Sequence, residues 1–271
     1  MEQRVVLLTG ATDGLGRALA GALAQQGFHL LIHGRNADRL QATRDALRHE
    51  SGNPKVDILQ ADLSRLQEVR RMGIELHALV DHLDILIANA GVFMTERQLT
   101  EDGHECSFQI NHLAHLQMIL DAMDLMKLGG RILQVASTSH EKLKQIDLDN
   151  LDWHSEFSGY FAYALSKAGQ VAAAMELAPH LRSKGITINA LHPGSILTKL
   201  QIAGWGGDGH PDPTDAVNRI LQLALDPPFK NQSGLWFVNN EPRTPNTLLM
   251  DEHLRRGLWE RSLAMIGAEE A

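Results

Sequence analysis

Short, mostly apolar runs recur along the chain, each followed by a longer stretch in which apolar residues return every three or four positions. The runs are Val5–Leu8, Leu30–His33, Val56–Leu59, Ile85–Asn89, Ile132–Val135, Thr187–Leu191 and Leu235–Val238. The amphipathic stretches are Leu15–Gln26, Asp38–His49, Leu66–Val80, Ile110–Met126, Ala164–Leu181 and Thr214–Leu225. A strand that is apolar at successive positions is buried on both faces, which happens where helices cover both sides of a parallel sheet. The pattern predicts an α/β fold: one Rossmann-type doubly wound domain over residues 1–271, with a seven-stranded parallel sheet and helices on both faces.

Glycines and prolines punctuate this alternation. Gly27 is expected to close the first helix, Gly129-Gly130 to close the long central one, and Pro213 to open another. Pro179 falls inside the helix predicted after Tyr163, which it either kinks or ends. Gly204–Pro213 is rich in Gly, Pro and Asp and reads as a mobile part of a substrate loop over about 197–213. A helical tail is expected over about 251–267, and no repeat or linker marks a second domain.

Composition then narrows the function classes. A formal net charge of −8, with basic residues scattered, argues against a nucleic-acid footprint. It also means that any phosphorylated ligand must be held by local groups. The one cysteine, Cys106, excludes an intrachain disulfide and fits a reducing compartment. No apolar run approaches the roughly 20 residues needed to span a bilayer, and Met1-Glu2-Gln3-Arg4 lacks the layout of a signal peptide. A cytoplasmic protein is expected.

Straight after the first run comes Thr9-Gly10-Ala11-Thr12-Asp13-Gly14-Leu15-Gly16, opening into a helical pattern. Glycines at a strand-to-helix turn allow positive φ and let a pyrophosphate approach amides at a helix N-terminus. The spacing Gly-x-x-x-Gly-x-Gly differs from Gly-x-Gly-x-x-Gly, and no Lys-Ser/Thr pair makes it a P-loop. The bland alternative is a turn with no ligand. At the end of the second run, Gly34 stands where an acid would bind an adenosine ribose, and Arg35 follows it. An arginine fork suits a 2′-phosphate, so NADP(H) is preferred over NAD, unless Arg35 is merely a surface charge.

Tyr163 and Lys167 lie one helical turn apart. A phenol is a poor acid or base at neutrality, and a nearby ammonium stabilises its anion. By spacing alone the pair is as readily a solvated helix face. Its position raises its interest, because it follows the hydroxyl-bearing strand end Val135-Ala136-Ser137-Thr138-Ser139.

Taken together these motifs resemble the short-chain dehydrogenase/reductase superfamily, from about residue 4 to the C-terminus. Thr9–Gly16 is similar to its cofactor turn, Asp62-Leu63 to its adenine-side pair, and Ala88-Asn89-Ala90-Gly91 to its sheet motif. Asn111, Ser137, Tyr163 and Lys167 match its catalytic tetrad, and Pro193-Gly194 with Ile196 and Thr198 its nicotinamide-lining segment. The resemblance implies hydride transfer between NADP(H) and a carbonyl or alcohol. Tyr163 would be the general acid or base, and Ser137 the carbonyl polariser, with Ser139 as the alternative hydroxyl. Lys167 would hold the ribose and depress the Tyr163 pKa, and Asn111 would anchor a relay water or simply bend its helix. Reduction of a C=C or C=N bond on the same scaffold is the chemical alternative; a non-catalytic NADP sensor is the alternative from another class. The chain departs from the family pattern at Ala88 and Ala136, outside the tetrad.

A narrower likeness is to the branch holding retinol dehydrogenases and WW-domain-containing oxidoreductases. It rests on His33-Gly34-Arg35-Asn36, Asn111-His112-Leu113, Ile146–Leu151, His192-Pro193-Gly194 and the tail around Leu258-Trp259-Glu260. That branch implies a lipophilic small-molecule substrate. The superfamily also admits a homodimer or homotetramer through the helices Ile110–Met126 and Ala164–Leu181. The fourteen histidines show no ligand spacing, so no metal is expected. Cys106 reads as a small hydrophobe, and Trp205 is open between lining a cavity and packing.

Overall fold

The computed structural model describes residues 3–268. Met1 and Glu2 of the N-terminal reading, and the chain's last three residues, lie outside the described residues. The seven runs form strands β1 (Val5–Leu8), β2 (His29–Gly34), β3 (Val56–Gln60), β4 (Leu83–Ala88), β5 (Met126–Val135), β6 (Thr187–His192) and β7 (Trp236–Val238). An eighth, β8 (Glu241–Arg243), returns antiparallel on β7 through Asn239 and Asn240, both at positive φ. The expected seven-stranded parallel sheet is thus an eight-stranded one with an antiparallel edge. Glu-Pro-Arg is exposed along its length and carries no hydrophobic signal, which is why periodicity passed over it.

The sheet order is β3-β2-β1-β4-β5-β6-β7-β8, every pair but the last parallel. Strand faces divide the core by alternation. Val5 and Leu7 join the cluster beneath α3 (Leu66–Leu79), α5 (Ala114–Asp121) and α6 (Gly159–Arg182). Val6 and Leu8 join the cluster beneath α1 (Gly14–Gln25), α2 (Ala37–Ser51) and α8 (Thr214–Leu225). Order reverses between β1 and β4, and that reversal opens a crevice at the carboxyl ends of the strands.

Three punctuation readings change. The central helix is broken into α4 (Cys106–Phe108), a π-turn over Gln109–Leu113 and α5. In the π-turn the amide of Ala114 reaches back five residues to the Gln109 carbonyl. Gly129-Gly130 lie inside β5 rather than at a helix end; Gly129, at φ +84, sits where pairing with β4 slips between Leu83 and Ile85. Pro213 sits just outside α8 as its N-cap residue. Pro179 neither breaks nor ends α6, which runs on to Arg182. At that place only one carbonyl, four residues back, loses its partner near the helix end.

The expected substrate loop holds a short helix, α7 (Lys199–Trp205), and the expected tail forms α9 (Glu252–Met265). Seventeen of the 24 residues of α6 are buried, as befits a helix apolar nearly all round. Its outer side is covered by α9 of the same chain: Arg255 pairs with Glu176, and Ser262 bonds His112. A homodimer through α6 would therefore have to form over α9. Trp259 is 5% exposed in this contact. Trp259→Ala is expected to cost about 3–5 kcal/mol of unfolding free energy in urea titrations, with the m-value unchanged.

Candidate active site

One cleft of about 640 Å³ opens at the β1/β4 reversal, within the range of small-molecule and cofactor sites. Its floor includes Gly10, Thr12, Asp13, Gly14, Leu15 and Gly16 of the glycine turn, and Arg35, Asp62 and Leu63 at the adenosine end. Asn89, Ala90 and Gly91 follow, then Ser137, Tyr163 and Lys167, with Pro193, Gly194, Ile196 and Thr198 on the far wall. Thr9 and Asn111 do not line it. Both are fully buried behind the wall and act as pegs.

The peg at Thr9 explains how the turn is held. Its hydroxyl accepts from the amides of Asn89 and Ala90, both at 2.9 Å, and so donates to His115 Nε2 at 3.0 Å. His115 then donates from Nδ1 to the Asn111 carbonyl at 2.9 Å, which fixes a neutral ring. Asn111, inside the π-turn, clamps Val92 through both amide atoms and reaches Ser166. Asn89 donates to the Thr9 carbonyl at 2.8 Å. On the other side, His33 accepts from the Gly10 amide at 3.3 Å and donates to the Ala61 carbonyl at 3.1 Å. Burial pulls His33 down to about 4 and His115 to about 3.

Close approach explains two glycines. A Cβ at Gly16 would lie 2.0 Å from the Gly10 carbonyl oxygen, so the turn closes only without one. A Cβ at Gly34 would lie 2.7 Å from the Thr12 methyl, so a carboxylate side chain fits there only if the Thr12 side chain shifts. Arg35 next door is exposed, with its guanidinium 4.0 Å from Asp62. At the turn itself Asp13 caps α1 and meets Lys199 Nζ at 2.6 Å and Arg39 at 3.2 Å. These cations, Lys199 first, hold the Asp13 carboxyl below its usual range.

At the chemical end, α6 carries Tyr163, Lys167 and Gln170 on its inward face, against the end of β5. Tyr163 is 5% exposed and its phenol lies beside the Ser137 side chain, close enough to lower its pKa slightly against the effect of burial. The Ser137 hydroxyl lies 3.0 Å from that of Ser139, which backs it instead of replacing it. Lys167 donates to the Val135 carbonyl and to Gln170 Oε1, each at 2.9 Å. Its ammonium sits over the Tyr163 ring, 5.5 Å from the centroid. The expected lowering of the Tyr163 pKa by Lys167 is not what this arrangement produces. Burial raises the phenol well above its ordinary value, opposed only by the Ser137 side chain, and burial draws Lys167 down to about 7. A cation over the ring face, bonded elsewhere, does little for the phenolic oxygen.

Several cleft residues escaped the sequence reading. His33, next to last in β2, and His192, last in β6, stand at the carboxyl edge, where ligands gather. Searching histidines for metal spacing hid that placement. Among the described residues no three His, Cys, Asp or Glu side chains converge as a metal site. Lys199, Leu200 and Gln201 come from α7, within the expected substrate loop, and Trp205, open above between lining a cavity and packing, does both. Trp205 meets Tyr163 and Phe93, both with centroids 5.4 Å away. Cys106 is half-buried at the start of α4, and burial raises its thiol.

A doubly wound sheet with a glycine turn at its order reversal and a Ser-Tyr-Lys group at the same edge defines a nucleotide-type oxidoreductase cleft. The chain belongs to the short chain dehydrogenase family, whose pattern matches residues 4–205. It is 30% identical to retinol dehydrogenase 13 of Homo sapiens, over 98% of this chain and 85% of that protein. It is likewise 30% identical to polyprenol dehydrogenase of Mus musculus, over 98% of this chain and 84% of that protein. Among solved structures it resembles a short chain dehydrogenase of Burkholderia cenocepacia J2315 in complex with NADP. There the identity is 26% and the TM-score 0.72, over 87% of this chain and 95% of that one. No helix among the described residues is long and apolar enough to cross a membrane.

Proposed function

We propose that this oxidoreductase transfers a hydride between NADP(H) and the carbonyl or carbinol carbon of a lipophilic small molecule, within one domain. The observation that carries the reading is the juxtaposition of Ser137 and Tyr163, with Lys167 over the Tyr163 ring, on the wall of the cleft that begins at the glycine turn. When bound, the nicotinamide supplies or accepts the hydride. This chain's residues do the rest. Thr12–Gly16 offers amides and a helix N-terminus to the pyrophosphate. Ser137 Oγ donates to the substrate oxygen, and the Tyr163 phenol, held protonated by burial, delivers the proton during reduction. Lys167, near 7, holds the ribose hydroxyls and a movable proton. Asn111 positions Val92 and the π-turn behind them.

NADP(H) is supported by the crowded Gly34 position and the unburied Arg35 fork, and by the NADP bound to the Burkholderia relative. Arg35→Ala is expected to weaken NADPH about 10- to 100-fold while leaving NADH within about twofold, as measured by fluorescence titration. A lipophilic substrate is supported by Trp205 in the cleft lining, backed by Phe93 and Tyr160, and by the retinol and polyprenol relatives. The single cysteine favours a cytoplasmic setting. The decisive experiment screens ketones, aldehydes and enones with NADPH and NADH by cofactor absorbance. Alcohol products formed faster with NADPH are expected; saturated ketones as products, or faster turnover with NADH, would overturn the reading.

A further inference from the structure

The Gln201 side-chain amide is a polar group in the cleft wall that the chemistry above does not use. Its Oε1 is buried with no hydrogen-bond partner, and the residue is 9% exposed. It lies on α7, four residues before Trp205, so the two share one face of that helix, and both line the cleft. The helix is fixed at its start: Thr198 Oγ1 accepts from the Gln201 amide at 3.2 Å, and Lys199 reaches Asp13. At its end Gly204 rests on the Phe93 ring, and Trp205 closes against Tyr163. An amide oxygen held out of water without a donor is destabilising, and in a cleft wall its retention points to a donor brought by a ligand.

We infer that Gln201 determines specificity by accepting a hydrogen bond from a second polar group of the substrate. The preferred substrate is then a carbonyl or carbinol on a flat apolar group that also carries a hydroxyl or N–H donor. The flat part packs against Trp205, which Phe93 backs, beside Tyr163. The donor meets Gln201 Oε1 one helical turn along. This assignment rests on the oxidoreductase reading given above. Its logic is that of any site built to pair with a hydroxyl: an analogue lacking the group leaves the acceptor buried and unpaired.

The test uses the full-length protein, NADPH, an aryl alkyl ketone and its meta- and para-hydroxylated counterparts. Wild type is expected to favour one hydroxylated ketone by about tenfold or more in kcat/KM. Gln201→Leu is expected to bring that ratio to about one by raising KM for the hydroxylated ketone, whereas Gln201→Glu, which keeps the acceptor, retains the preference. A wild type indifferent to the hydroxyl would overturn the assignment. So would a Gln201→Leu enzyme that keeps the preference and loses NADPH affinity, since the amide would then serve the cofactor's carboxamide. If wild type reduces none of these ketones, the oxidoreductase reading fails. The same series is then read as competing ligands by tryptophan quenching. An affinity difference that Gln201→Leu removes upholds the acceptor role, and equal affinities overturn it.

Discussion

Tyr163→Phe is expected to lower kcat for ketone reduction about a thousandfold while leaving NADPH affinity within about twofold. The expectation follows from what the hydroxyl does and what the ring does. The ring packs with Phe93 and Trp205, at centroid distances of 5.5 and 5.4 Å, and phenylalanine preserves those contacts. The hydroxyl faces Ser137, whose own hydroxyl keeps Ser139 as a partner when the phenol oxygen is gone. Fold and cleft should therefore survive, and the loss should fall on the proton that the developing alkoxide needs. Burial keeps that proton on Tyr163 well above neutrality, so wild-type reduction should not decline with pH until beyond about 10. Single-turnover absorbance with the variant is the measurement. A variant retaining more than about a tenth of the wild-type rate would remove Tyr163 from the proton path.

The strand-helix alternation, the glycine turn and the Tyr163–Lys167 spacing were legible because each is a local signal. A buried strand is apolar along its length, a strand-to-helix turn needs glycine where a Cβ would strike Gly10, and two residues four apart share a helix face. What stayed illegible depends on partners far away in the chain. Thr9 and His115 are 106 residues apart, and only the folded sheet makes one the donor to the other. The sign of the Tyr163 shift is of this kind too. Spacing places a lysine near the phenol, but the ammonium turns to Val135 and Gln170, and burial then outweighs it. Gln201 was hidden for a third reason. Gly, Pro and Asp in residues 204–213 mark a loop, and a seven-residue helix just before it is too short to show periodicity.

Acidification to about pH 4.5 is expected to unfold the free protein, because its buried imidazoles must take up protons to do so. His33, His112 and His115 are at most 3% exposed, and burial holds them at about 4, 3 and 3, below the ordinary 6.5. A histidine whose folded value is depressed contributes no penalty above 6.5. As pH falls from there toward the folded value, the unfolded chain gains a proton that the native state refuses, and stability is lost. At about pH 4.5 that amounts to about 2–3 kcal/mol for each ring and about 8 kcal/mol for the three, against a typical total of about 5–15 kcal/mol. His140 and His192 are shifted in the same direction. His77 and His104 oppose it, raised by the bond His77 donates to the Gly73 carbonyl and by Asp152, respectively; His77 is near the surface and His104 half-buried. The three depressed rings should therefore prevail. Urea titrations at stepped pH give the slope of stability against pH. In the double variant His112→Leu/Ser262→Ala, which removes both partners of one buried bond, proton uptake on unfolding near pH 5 should fall by about one. Stability unchanged between pH 7 and about 4.5 would mean that these rings are not held neutral. The hydrogen-bond directions at Thr9 and Gly10, on which the cleft floor depends, would then have to be reassigned.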